Sequence, residues 1–224
     1  MNILVCGDSH TGVFRYSNTK QSKYRFNVCE VGGATALGLV NPNSKTNALP
    51  IFSKTIQNTQ ACKLIIMLGE VDCGFVIWVR SKRYNMSVDE QINESINNLF
   101  IFIQDEIINK KKYKPCDIII AGSVLPTIRD NADKNLLGGA RSEVDVSQKI
   151  RTMKTLEYNN ILKMKCSKYD YEYIDITNFI LDKKENIVSS NFLNKNPHDH
   201  HLDNEKTYNL WIQELDIICR KKST

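Results

Sequence analysis

Met1-Asn2-Ile3-Leu4-Val5-Cys6-Gly7-Asp8-Ser9-His10 is the stretch on which the reading of the whole chain turns. Ile3 to Cys6 is a short apolar run, the pattern of a strand buried on both faces, and it stops on a glycine, an acid and a serine. In open parallel sheets ligands sit beyond the carboxyl ends of the strands, so a strand that runs into a tight polar turn marks where chemistry belongs. Four more apolar runs have the same form: Phe26 to Val31, Leu64 to Leu68, Ile118 to Ala121 and Tyr171 to Ile176. The intervals between them leave room for crossover helices. The expected architecture is therefore a three-layer α/β/α sandwich around a five-stranded, mostly parallel sheet.

The clearest helix follows Ser87, which caps it while Glu90 reaches back in a capping box. Ile92, Ile96, Leu99, Phe100, Ile103 and Ile107 then fall on one face of a 3.6-residue period. Further helices are expected from Val146 to Lys165 and from about Asn204 to Cys219, the last burying Tyr208, Trp211, Leu215 and Ile218. The 224 residues contain no linker-like stretch and no internal repeat, so residues 1–224 are read as one domain, long enough to bury roughly 70% of the unfolded surface.

A net charge of +5 is too mild to argue for nucleic acid. The dense run Lys110, Lys111, Lys112 and Lys114 lies where a helix ends, a place that favours positive charge. Seven cysteines without a CxxC pair read as packed thiols in a reducing compartment, and the N-terminus starts a strand where a secretory leader would need a basic and then a long apolar region. A cytoplasmic protein follows from this reading. No apolar run approaches a membrane span, so no membrane partner is expected; the oligomeric state stays open.

The residues just beyond the strands are Gly7-Asp8-Ser9-His10, Gly32-Gly33, Gly69-Glu70-Val71-Asp72 and Ser123 to Asp130. A serine hydroxyl is a weak nucleophile until a base takes its proton. Only four histidines are available, and three of them, His198, His200 and His201, stand in one cluster with Asp199 before the final helix.

Taken together, GDSH at 7–10, VGGATALGL at 31–39, LGEVDCG at 68–74 and PHDHHLD at 197–203 resemble, in order, the sequence blocks of the SGNH/GDSL hydrolase superfamily of esterases and acyltransferases. The resemblance implies a flavodoxin-like SGNH fold with no cofactor and no metal. By it Ser9 is the nucleophile, His201 the general base, and the N–H groups of Ser9 and Gly33 part of an oxyanion hole. The chain departs from the family pattern twice. Val71 stands where an asparagine normally donates to the oxyanion, and His198 stands three residues before His201 where the family has its aspartate, leaving Asp199 as the carboxylate for His201 and His200 as a fallback base.

The GDSH and GEVDC variants resemble a branch associated with glycan biosynthesis. This implies an O-acetyl or similar ester of a carbohydrate or glycan precursor as the substrate. Asp8, His10, Glu70 and Asp72 are then candidates to bind it, Glu70 and Asp72 lying on one side of an extended strand end. Arg141 and Arg151, with Arg129 and Glu143 nearby, form either a solvated charged face or forks for an anionic sugar. Two other readings remain open: a non-catalytic glycan-binding module, which Val71 favours, and a metallophosphoesterase using Asp8, His10, Asp72, His198 and His200 as ligands. The second lacks the Gly-Asn-His block of that class.

The thiol reading is checked by alkylation of denatured, unreduced protein followed by mass spectrometry. All seven cysteines should be modified; a protected pair would overturn the reducing placement.

Overall fold

A computed structural model describes residues 1–137, 139–196 and 199–220, the side chain of Ala140 excepted. The five expected strands are present as β1 (Asn2–Gly7), β2 (Arg25–Glu30), β3 (Lys63–Met67), β4 (Ile118–Ala121) and β5 (Glu172–Ile174). They form one sheet in the order β2-β1-β3-β4-β5, and all four ladders are parallel. The order reverses between β1 and β3, which opens a crevice at the end of β1, where the GDSH turn lies. Strand β5 is shorter than the apolar run suggests because Asp175 turns the chain, accepting from the Thr177 N–H at 2.7 Å.

Alternation along the strands sorts side chains to two faces. Leu4, Cys6, Leu64, Ile66, Ile118 and Ile120 face one core, and Ile3, Val5, Ile65, Met67, Ile119 and Ala121 face the other. The first core is covered by α2 (Ala48–Asn58), α4 (Val88–Phe102) and α5 (Gln148–Lys168), which contribute Phe52, Leu99 and Leu162 among others. The second is covered by α1 (Gly12–Ser17) and α7 (Asn204–Arg220) through Phe14, Trp211 and Leu215. The three layers of the sequence reading are thus formed.

The capping box at Ser87 and Glu90 opens α4, and its apolar stripe continues past Phe102 through a π-helical stretch to Lys111. Lys111 then caps the carbonyls of Gln57 and Thr59 at the end of α2. The sequence reading did not foresee α1, α2, the helix α3 (Ile77–Tyr84), the single turn α6 (Thr177–Ile180) or the hairpin of β6 (Leu181–Asp182) with β7 (Ile187–Val188). All seven cysteines are free thiols, Cys6 lying beside Cys29 across the β1–β2 ladder. Among the described residues no helix is long and apolar enough to cross a membrane.

One glycine fixes how closely β1 and β3 approach below the crevice. A Cβ on Gly7 would lie 2.1 Å from the Met67 carbonyl oxygen and 2.6 Å from Thr11 Cγ2, so backbone would have to move. Gly7→Ala should cost about 3 kcal/mol of unfolding free energy in urea, while Gly32→Ala, where a Cβ meets nothing within 4 Å, should stay within about 0.5 kcal/mol. Equal midpoints for the two variants would contradict this packing.

Candidate active site

Beyond Gly7 the chain turns into a short 3-10 segment, Ser9–Thr11. Asp8 closes that turn from both sides: its carboxylate accepts from the His10 N–H at 2.9 Å, and its carbonyl accepts from the Thr11 N–H at 3.1 Å and hydroxyl at 2.7 Å. Ser9 is thereby held at the first position of the turn, where a helical N–H has no internal partner.

The second half of the site arrives 192 residues later. His201 sits on a segment pinned at several points. Leu193 pairs with Leu202, Leu202 is buried in the second core, the Asp203 N–H donates to the Phe192 carbonyl at 2.8 Å, and the Thr127 hydroxyl donates to the His200 carbonyl at 2.6 Å. In this frame His201 Nε2 lies 2.7 Å from Ser9 Oγ, and His201 Nδ1 lies 2.6 Å from Asp199 Oδ1. The two-residue spacing of Asp199 and His201 works because the same carboxylate oxygen also accepts the His201 backbone N–H at 2.9 Å. Burial alone would raise the Asp199 carboxyl, but the His201 N–H and ring bring it below its ordinary value. Asn194 donates to its second oxygen at 3.0 Å. Nothing in the sequence distinguished Asn194 from the other asparagines.

Such a chain requires Ser9 Oγ–H to donate to a neutral Nε2 while Nδ1–H donates to Asp199, the protonation in which an imidazole can take the serine proton. His200, the fallback base, is directed elsewhere. Its Nε2 accepts from Arg141 at 2.9 Å, and burial together with the Arg141 charge pushes its pKa down to about 3.

The glycine loop lies beside the serine because the Val31 N–H donates to the Gly7 carbonyl at 2.9 Å. Ala34 N–H closes a turn onto the Val31 carbonyl, and Gly33 occupies its third position at φ 72°, in the left-handed region glycine tolerates. The Gly33 N–H has no hydrogen-bond partner among the described residues. Asp72 secures the far end of this loop, accepting from the N–H of Ala36 at 2.9 Å and Leu37 at 3.0 Å and from the Ser95 hydroxyl at 3.0 Å. Burial pushes the Asp72 carboxyl up to about 6 against these bonds. Val71 is itself buried.

The structure corrects the expected substrate-binding roles of Asp8, Glu70 and Asp72, whereas His10 helps to line the Ser9 cavity. All four are buried, and Glu70 and Asp72 lie on a helical turn that sends them to different neighbours, Glu70 toward His10 and Asp72 toward the glycine loop. Asp8, Glu70 and Asp72 support the wall of the site and do not line the Ser9 cavity. Arg151 is also a support, its guanidinium donating to the carbonyls of Ile128 at 2.7 Å and Val146 at 3.1 Å. Arg141 does reach the site, through His200. The proposed metal set is not assembled: Asp8 and Asp72 are committed as above, and His198 lies outside the described residues. Among the described residues only Asp199, His200 and His201 bring three ligand-type atoms within 4.8 Å of one another, and their facing atoms already bond Ser9, Arg141 and each other.

Ser9 and His201 open onto a cavity of about 250 Å³ that Arg15, Glu30, Asn194 and Trp211 help to line. No protein-family model matches the sequence, and no curated protein sequence is detectably similar to it. Solved structures nevertheless share its fold. A GDSL-like lipase from Bacteroides thetaiotaomicron superposes with a TM-score of 0.60 at 11% identity, covering 99% of this chain and 88% of that one. A carbohydrate acetylesterase family member from Sinorhizobium meliloti gives 0.60 at 14%, covering 98% and 97%, and an extracellular lipase from Streptomyces rimosus gives 0.56 at 12%, covering 97% and 99%. The fold is that of the GDSL-type hydrolases.

The buried pair behind the serine sets a pH dependence. Burial would depress the His10 imidazole, but the carboxylates of Glu70 and Asp8 outweigh it and raise the ring from 6.5 to about 9. The folded protein then binds this proton more tightly than the unfolded chain. The resulting stability is complete below pH 6.5 and is lost as pH rises to about 9, up to about 3 kcal/mol in all. Unfolding free energies at those two pH values should fall more steeply for wild type than for His10→Gln. An equal slope would place the proton elsewhere.

Proposed function

We propose that this chain is an SGNH/GDSL-type serine esterase that removes a short acyl group, acetyl foremost, from a carbohydrate or glycan precursor. The observation that carries the reading is the hydrogen-bonded line Ser9 Oγ, His201 Nε2, His201 Nδ1, Asp199 Oδ1 at the crevice of a parallel sheet. In the reaction Ser9 Oγ attacks the ester carbonyl carbon while its proton passes to His201 Nε2, and Asp199 steadies the imidazolium. The carbonyl π electrons move to oxygen, and the N–H groups of Ser9 and Gly33 stabilise that charge as it develops. Collapse expels the alcohol, which takes the proton from His201. Water then repeats the sequence on the acyl-serine and releases the acid.

Val71 supplies no donor to the oxyanion. In comparable holes the loss of one donor lowers the rate about 10²- to 10³-fold, so the two backbone groups carry this part of the catalysis here. A short acyl group suits the modest cavity beside Ser9. The polar walls of that cavity and the fold shared with a carbohydrate acetylesterase support a sugar as the alcohol. An alcohol in place of water as second acceptor would make the same acyl-enzyme an acyltransferase.

Hydrolysis of p-nitrophenyl acetate and of an O-acetylated hexose tests the proposal. Ser9→Ala and His201→Ala should each lower kcat by about 10⁴-fold or more with unchanged circular dichroism, and the double variant should lose little further because the two act as one unit. A fluorophosphonate should label Ser9 in wild type, and a chelator should have no effect. Turnover that survives Ser9→Ala, or folded wild-type protein that neither labels nor turns over, would overturn the esterase reading and leave the glycan-binding module in its place.

A further inference from the structure

A cavity of about 260 Å³ lies between the π-helical segment before α3 and the loop leading to α5, and its lining residue Arg141 bonds His200. Gly74, Phe75, Ile128, Arg129, Arg141 and Arg151 help to line the cavity. Its charges do not balance. Lys134 is paired with Asp145 at 3.2 Å, and Asp130 caps α5 through the Gln148 N–H while lying 3.9 Å from Arg151. Arg151, only 5% exposed, has a loosely placed Asp130 and the more distant field of Glu70 for its charge. Arg129 reaches only Gln148 Oε1, at 3.5 Å, and neither Arg129 nor Arg141 forms an ion pair among the described residues.

Arg141 is nevertheless firmly placed. Its guanidinium carbon lies 4.3 Å from the centre of the Phe75 ring, its Nη2 donates to His200, and its buried Nε has no hydrogen-bond partner. The Phe75 face and the His200 bond favour the cation, but among the described residues no carboxylate lies within ion-pair distance to neutralise it. The N-terminus of the 21-residue helix α5 adds positive potential at the same cavity through Val146 and Ser147. The cavity shares the Ile128–Arg129 wall with another beside Asp199 and His200, and that one shares Asn194 and Asp199 with the cavity of Ser9.

We infer that this cavity is an anion subsite in which the forks of Arg129 and Arg141 hold a carboxylate or phosphoryl group of the sugar whose ester lies at Ser9. The inference deepens the esterase reading and rests on it for the word substrate, although binding at the cavity can be measured without turnover. Planar forked donors match the oxygen pairs of both groups, and the Arg141–His200–His201 contacts tie occupancy of the subsite to the base. The cavity selects which esters are positioned.

Calorimetry on the Ser9→Ala protein with glucuronate, glucose 1-phosphate and glucose tests this. Either anionic sugar should bind about 10- to 100-fold more tightly than glucose, and the advantage should shrink by a similar factor in Ser9→Ala proteins that also carry Arg129→Gln or Arg141→Lys. Tighter glucuronate assigns a carboxylate and tighter glucose 1-phosphate a phosphoryl group. Glucose bound as well as both, or an anionic preference that both arginine variants retain, would overturn the subsite. Absence of turnover by wild type with the anionic preference intact would overturn only the esterase reading.

Discussion

Two carboxylates govern the site by the same device. Asp8 accepts the backbone N–H of His10 and lies 3.0 Å from its ring Nδ1, and Asp199 does the same for His201 at 2.6 Å. Each Asp-x-His turn fixes a backbone bend and an imidazole with one oxygen atom. The two turns meet face to face, the His10 and His201 rings 4.7 Å apart, and the residue inside the first turn is Ser9. Rotating Asp8 away would release the bend that presents the serine, and rotating Asp199 away would release the ring that meets it.

The two turns differ in what lies behind them. Asp199 is partly open, and its histidine faces the cavity with Nε2 on Ser9. Asp8 is buried, and beside its histidine stands Glu70, whose Oε2 lies 3.7 Å from Nδ1 without a hydrogen-bond partner. One histidine has its Nε2 on the serine hydroxyl, and the other is held as a cation by two acids. Environment therefore separates the roles of two chemically identical motifs, as it commonly does where pairs of titratable groups share a site.

Asp72 does comparable work for the glycine loop. Its carboxylate joins the loop at Ala36 and Leu37 to α4 at Ser95, which anchors the far end of the loop that carries the Gly33 turn. Supports buried this deeply are sensitive to their partners, because a lone charge in the interior costs far more than a paired one. Arg129 and Arg141 differ from these supports: both are half-buried, and neither forms an ion pair among the described residues.

Much of the fold was written locally. Five apolar runs, the Ser87–Glu90 capping box and the stripe on α4 act over neighbouring residues, and each formed close to where the pattern placed it. Short helices such as α1 and α2 were not legible, because their amphipathic stripes span too few turns to stand out. The resemblance carried by the GDSH, glycine and histidine blocks named Ser9, Gly33 and His201, and the place of the first two just beyond apolar runs pointed to one crevice. What the sequence could not decide was the direction of side chains. Glu70 and Asp72 were read as extended residues sharing a side, but the chain is helical there and parts them. Whether Asp199 could serve a histidine only two residues on, and whether His200 or His201 meets Ser9, depended on a bend held by Thr127, Phe192 and Leu193. Those contacts join segments far apart in the chain, and a pattern confined to neighbouring residues cannot encode which long-range hydrogen bonds will close.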